Sequence, residues 1–280
     1  MEFDTLLYLL EKEFPSSSAL DGDRIGLQIK GNDDKNINTI LCAYELTNDV
    51  IEEASLKNAE LIVLFHPLIY YPLTNVNAFD RVTYLVRELI KREISLYIIH
   101  TNFDTHPLGT NNIIADKLGL KNIKYLKDLS NTIENRGMGI FGEFEKVIFF
   151  DVLLEKLHSI FSSPIRYCKG KTEYFKNCAF VGGSGYSFIN EAIKMGTNCF
   201  ITADLTYHNF HQHKDNICLI ELGHYEMEQF NHLVMSDLIS KITKSFNVKV
   251  IKSKIVTNPV SYFPENNYKE NQKDNILELN

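Results

Sequence analysis

Four apolar runs in this sequence end in an imidazole or a carboxylate. "LIVLFHP" runs out at His66, and "SLYIIHTNFD" ends at His100 with Asp104 four residues on. "NCFITADLTYH" ends at Asp204 with His208 four residues on, and "ICLIELGHYEME" ends at His224 with Glu228 four residues on. Imidazole nitrogen and carboxylate oxygen suit borderline and hard divalent cations, and no thiolate joins the pattern. In open α/β sheets ligands bind just beyond the carboxyl ends of the strands, so the recurrence reads as a metal site. One such histidine alone is more often an ordinary loop residue; the repetition carries the reading. His224 and Glu228, at i and i+4 in a helix, lie on one side and can share a metal. Pro67 keeps the chain after His66 from continuing as a regular strand or helix.

Other motifs have plainer readings. The turn Gly182-Gly183-Ser184-Gly185 can offer backbone N–H groups to a phosphate, or can simply be a tight strand-to-helix turn. His211 and His213, in "HNFHQHKD", read as a solvated polar loop, and His106, His158 and His232 have no ligand context.

The elements that must position these residues alternate between helix and strand patterns. "FDTLLYLLEKEF" places Phe3, Leu6, Leu7, Leu10 and Phe14 on one helical face. "NTILCAYEL" reads as a strand, Thr47 caps a helix over "NDVIEEASLKNA", and "LIVLF" is the next strand. A helix over "AFDRVTYLVRELIKRE", a strand "ISLYIIH" and a short helix "NNIIADKLG" follow. "EQFNHLVMSDLISKIT" continues from Glu228 as a helix, with His224 and Glu228 in its first turn. Alternation of this kind predicts α/β layers. The chain turns polar between about Lys121 and Ser130, which sets a boundary near residue 125. The expected organisation is an N-terminal α/β lobe over 1–125, a second α/β lobe over 126–262 whose last strand and helix return to the metal residues, and a polar tail over 263–280. "IEEASLKNAELIVLFH" lines up with "INEAIKMGTNCFITAD", which puts His66 opposite Asp204 and fits two related lobes.

Composition narrows the classes. The 280 residues are 44% hydrophobic, enough for a sizeable core. The formal net charge is −7 and no dense basic run occurs, which argues against nucleic-acid binding. No apolar run approaches the ~20 residues that span a bilayer. "MEFDTLLYLLEKEF" has no basic leader or small-residue cleavage site, so no signal peptide is expected. The five cysteines show no C-x-x-C spacing and suit reduced core thiols in a cytoplasm.

The motifs together resemble the NGG-interacting-factor-three-like family, also called the GTP cyclohydrolase I type 2 family. "DGDRIGLQIKG" resembles its W-D-N-x-G-L segment, "LFHPLIY" its H-H-P-[LI] segment, and "IIHTNFDTHPLGTNN" its H-T-N-x-D-x-x-x-x-G-x-N segment. "VGGSGYSFINEA", "ITADLTYHNF" and "LIELGHYEMEQ" resemble its G-G-S-G, T-G-[DE]-x-x-x-H and G-H-x-x-x-E segments, in the family's order. The resemblance implies two interlinked α/β lobes with mixed sheets and a metal cleft between them, assembled as a homohexamer, a trimer of dimers. By motif it implies His66, Asp104, His224 and Glu228 as metal ligands, with His100 as a further ligand or a hydrogen-bonding partner of one. The chain departs from the family in lacking any Trp, in Ala203 for Gly, and in Phe65 where the family has the first of two histidines.

The expected function is a metal-dependent hydrolase acting on a nucleotide or related phosphate compound, similar to GTP cyclohydrolase I type 2, through a metal-activated water. Zn, Mn, Fe, Co and Ni all suit the ligands, at one or two ions per chain. His208 or His100 would move protons, since imidazole titrates near neutrality, with Asp204 beside them as a catalytic group. Gly183, Ser184 and Gly185 would contact substrate. The alternative is a non-catalytic metal-binding regulatory protein, as the loss of a ligand at Phe65 would suggest.

Overall fold

The face predicted for the first helix forms: α1 (Phe3–Glu13) buries Phe3, Leu6 and Leu10, and Phe14 follows them into the core, while Leu7 is only partly covered. The computed structural model of the protein describes residues 1–32, 36–129 and 133–263. After α1 come β1 (Gly26–Ile29), β2 (Thr39–Ala43), α2 (Asn48–Leu56), β3 (Leu61–Leu64), α3 (Arg81–Lys91), β4 (Ser95–Ile98), α4 (Thr101–Asp104) and α5 (Thr110–Leu118). The chain continues through β5 (Lys121–Asp128), β6 (Gly137–Phe149), α6 (Phe150–Phe161), β7 (Arg166–Cys168), β8 (Tyr174–Phe180), α7 (Ile189–Lys194), β9 (Cys199–Thr202) and α8 (Tyr207–His213). It closes with β10 (Cys218–Glu221), α9 (His224–Glu228), α10 (Asn231–Thr243) and β11 (Lys249–Lys252).

This is a mixed α/β fold with two mixed sheets, as expected. The first has strand order β1-β4-β3-β2-β11 and the second β5-β6-β8-β9-β10-β7. Each is built on parallel strands, β11-β2-β3-β4 in one and β8-β9-β10 in the other. An antiparallel strand closes one flank of each, β1 on β4 and β7 on β10. The near-continuous apolar runs "LIVL" and "CFIT" follow from this placement, because inner parallel strands are buried on both faces.

The chain divides into two compact units, the first from Met1–Gly109 and Phe230–Thr257, the second from Thr110–Asn131 and Asn135–Gln229. The polarity change near residue 125 falls inside β5, which pairs antiparallel with β6 and belongs with the second unit. The last strand returns beside an early one, since β11 pairs parallel with β2. Helix α10 and β11 thereby belong to the first unit, although the sequence reading groups residues 126–262 together. Of the polar tail, the residues from 264 on lie outside the described residues.

The internal repeat has a structural counterpart. β3 and β9 occupy matched positions in the two aligned segments, and the turn before each takes a left-handed residue at the matched place, Asn58 (φ 53°) and Gly196 (φ 84°). Thr47 caps α2 as its sequence predicts, with its side chain accepting from the Val50 N–H at 3.3 Å. Two expectations are corrected. "HNFHQHKD" is not a loop: α8 runs to His213, whose ring is buried against Tyr186, with Nε2 3.1 Å from the hydroxyl. His224 and Glu228 are not the first turn of a long helix either. They form their own short helix, α9, and α10 begins only at Asn231. All five cysteines are free thiols and four are buried, as their apolar settings suggest. Among the described residues no helix is long and apolar enough to cross a membrane.

Candidate metal-binding side chains

In the first unit, β3 delivers His66 and β4 delivers His100, and their rings meet edge to face with centroids 5.4 Å apart. His66 Nδ1 lies 3.0 Å from Glu45 Oε2, and the other oxygen of Glu45 accepts from the Arg81 guanidinium at 2.6 Å. Burial works against the Glu45 charge, but the hydrogen bond and charge of His66, with Arg81, hold its pKa below the ordinary value. His100 Nδ1 lies 2.8 Å from Asp23 Oδ1, and Asp23 also accepts from the Thr101 backbone N–H at 3.1 Å and from the Thr101 hydroxyl. Burial again opposes ionisation, yet the His100 contacts and the Thr101 and Arg24 donors bring Asp23 down to about 2. Asn102 braces the turn: its Oδ1 accepts from His100 N at 2.9 Å, and its side-chain amide donates to Phe14 O at 2.8 Å. Asp104, 3% exposed, ends α4, and its N–H donates to His100 O.

Phe65 is fully buried in this group. Its ring stacks on Tyr44 at 5.8 Å and stands edge-on to His100 at 5.3 Å and to Phe103 at 6.2 Å. A non-ligating ring therefore packs directly against two ligand-type histidines.

In the second unit, β10 delivers His224 and α9 places Glu228 one turn later. Their facing atoms, His224 Nε2 and Glu228 Oε2, are 3.0 Å apart. His224 Nδ1 lies 2.6 Å from Asp204 Oδ2. Asp204 follows β9 in the left-handed region (φ 56°), a conformation Asp adopts more readily than most side chains. Burial disfavours the imidazolium, but two carboxylates outweigh it, Glu228 foremost, and the His224 pKa rises to about 11. One imidazole between two carboxylates attracts positive charge strongly, which is the chemistry of a cation site. Gly183 brings only its backbone, and no side chain, against His224 Nε2 and Glu228 Oε1. The donor chemistry of these residues fits a divalent metal.

The structure thus brings together His66 with His100 in one unit and Asp204 with His224 and Glu228 in the other. Asp204, expected as a catalytic group, sits on the imidazole nitrogen away from Glu228. His208 lies in the first turn of α8, exposed, with its ring beside Tyr207 at a centroid distance of 5.5 Å. In the glycine turn, Gly182 N–H is donated to Asn111 Oδ1 at 3.0 Å and Gly185 N–H to Thr202 Oγ1 at 2.8 Å. The expected contact of Gly185 with a phosphate therefore lacks its N–H; Gly183 and the exposed Ser184 keep theirs outside these two bonds.

Glu45, Asp23 and Arg81 were not among the expected site residues. Asp23 stands inside the "DGDRIGLQIKG" motif, which signals that it matters without showing why. Glu45 and Arg81 carry no sequence signal; their roles follow only from β2 and α3 meeting at His66.

Known proteins share this architecture. The chain is 30% identical over 267 residues to a GTP cyclohydrolase 1 type 2 homolog of Clostridium perfringens, covering 94% of this chain and 100% of that protein. It is 29% identical over 233 residues to a protein of the same description from Clostridium acetobutylicum, covering 82% and 87% of the two. A crystal structure of a Staphylococcus aureus hypothetical protein superposes with a TM-score of 0.83 at 26% identity, over 94% of this chain and 99% of that one. A Bacillus cereus protein related to NIF3 shares the fold, with a TM-score of 0.82 at 19% identity over 92% and 98% of the two chains. The family model described as Duf34/NIF3 (NGG1p interacting factor 3) matches residues 1–259, and the chain belongs to that family.

Proposed function

We propose that the protein is a metal-dependent hydrolase of a nucleotide or related phosphate compound, as the relatives described as GTP cyclohydrolase 1 type 2 homologs suggest. One observation carries the metal reading. Each of the three candidate histidine ligands has a carboxylate on Nδ1: Glu45 on His66, Asp23 on His100 and Asp204 on His224. Metal-ligating histidines usually donate their second ring N–H in this way, which fixes the tautomer and raises the basicity of the coordinating nitrogen. His66, Asp104, His224 and Glu228 are the proposed ligands, with His100 as a further one.

When bound, a divalent cation would lower the pKa of a coordinated water toward ~7 and so supply hydroxide at neutral pH. The chain's own residues do the rest. Glu45, held by Arg81, aims His66; Asp23 aims His100; Asp204 acts through His224. Phe65, Tyr44 and Phe103 keep water from the back of the two imidazoles in the first unit. His208, exposed on α8, is the proposed proton carrier, and Gly183 and Ser184 the proposed substrate contacts. Hydrolysis screens against nucleotides and phosphate esters, with Mn, Zn, Fe, Co and Ni added separately, test this proposal. Turnover with at least one metal, lost in Glu228→Gln, is expected.

Phe65 favours a second reading, a metal-binding regulatory protein without catalysis, because it fills with an apolar ring a position beside two imidazoles. Stoichiometric metal without turnover in the same screen selects that reading.

A further inference from the structure

We propose that Gly183 is a positioning residue for the His224–Glu228 pair, clamped by Asn111 and Thr202; the proposal rests on the metal-ligand reading above. Gly183 has φ +68°, which by itself favours glycine. A second demand comes from its surroundings. A Cβ at Gly183 would fall far inside van der Waals contact with Glu228 Oε1 and 3.2 Å from His224 Nε2, the nitrogen that faces Glu228. Gly196 makes the contrast: it too has positive φ (+84°), yet a Cβ there meets nothing within 4 Å. Glycine is favoured at position 196 by backbone conformation alone, and at 183 also by the carboxylate and imidazole it touches.

The backbone at Gly183 is fixed from two directions. Ahead of it, Gly182 N–H donates to Asn111 Oδ1 at 3.0 Å. Behind it, Thr202 Oγ1 accepts from Gly185 N–H at 2.8 Å and donates to Gly183 O at 2.7 Å, and Ala203 N–H donates to the same carbonyl at 2.8 Å. Asn111 and Thr202 are fully buried. Thr202 ends β9, two residues before Asp204, so one strand end holds both the carboxylate on His224 Nδ1 and the turn that bears on the far side of the same ring. The Gly182–Gly185 turn therefore sets the direction in which the imidazole and Glu228 present their donor atoms.

The test compares Gly183→Ala with Gly196→Ala, which share the backbone cost but not the collision. Cobalt(II) affinity, measured by competition with a chromophoric chelator, should fall by about tenfold or more in Gly183→Ala, as for loss of other groups that orient ligands. The visible d–d spectrum of the cobalt protein should change as well. Gly196→Ala should match the unmodified protein in both. Equal affinities and spectra for the two variants would overturn the proposal. Thr202→Val and Thr202→Ser provide a second arm, decisive if Gly183→Ala does not fold: the valine should weaken cobalt binding and the serine restore it, and equal behaviour would overturn the clamp. Absence of cobalt binding by the unmodified protein would sink the metal reading instead. In that case the ring ¹⁵N shifts of His224 in metal-free protein decide, changed in Gly183→Ala and unchanged in Gly196→Ala if Gly183 positions the pair, and alike in both if it does not.

Discussion

Asp23 should titrate far below an ordinary aspartate in the metal-free protein. Its side chain is 4% exposed and accepts from His100 Nδ1, from Thr101 N and hydroxyl, and from Arg24 N. These contacts outweigh burial and bring its pKa from 3.8 to about 2. Each unit corresponds to about 1.4 kcal/mol, so ionised Asp23 contributes roughly 2 kcal/mol to the folded state. Because the folded value is depressed, this stability is present above the unfolded value near 4 and is lost as pH falls through about 2. Asp23→Asn removes the charge and replaces one of the two accepting oxygens with an NH2 group, so at least one of these donors loses its acceptor. It should cost about 1–3 kcal/mol at pH 7, the usual penalty of a buried donor left without its acceptor. Carboxyl ¹³C shifts followed from pH 5 to pH 1.5 in chelator-treated protein give the titration directly, and urea unfolding of the variant gives the cost. A midpoint near 4 for Asp23, or a variant as stable as the parent at pH 7, would show that these contacts do not hold Asp23 ionised.

Two further outcomes follow from the same structure, and a third from the family resemblance. Phe65→His should raise the number of metal ions bound per chain, measured by elemental analysis under identical loading, because it adds an imidazole between His66 and His100; unchanged stoichiometry would count against it. Thr47→Ala should destabilise α2 by about 1 kcal/mol through loss of the cap on Val50 N–H, read from hydrogen exchange in that helix. The protein should assemble as a homo-oligomer, the hexamer proposed from its motifs, and light scattering showing a monomer at micromolar concentration would contradict that.

What the sequence showed and hid has a physical pattern. Ligand-type residues just beyond β3, β4, β9 and β10 were legible because buried parallel strands are mostly apolar, so imidazoles and carboxylates that recur just past such runs stand out. The residues that orient them were not. Asp23 reaches His100 from 77 residues away and Arg81 reaches Glu45 from 36, and periodicity carries no information about such pairs. The break between α9 and α10 was hidden because Gln229 and Phe230 stay in the right-handed helical region, with no Gly or Pro to announce it. His213 looked solvated because its polar neighbours are exposed, while its own partner, Tyr186, comes from another part of the chain.

The proposed function depends on this chain holding a divalent metal through its histidine and carboxylate strand ends. Elemental analysis of protein purified without an affinity tag, beside His224→Ala and Glu228→Ala checked for folding by circular dichroism, tests it most directly. Stoichiometric metal in the parent, and loss of it in both folded variants, is the expected result. Full occupancy in both variants, or a parent that stays metal-free under loading with every candidate ion, would contradict it.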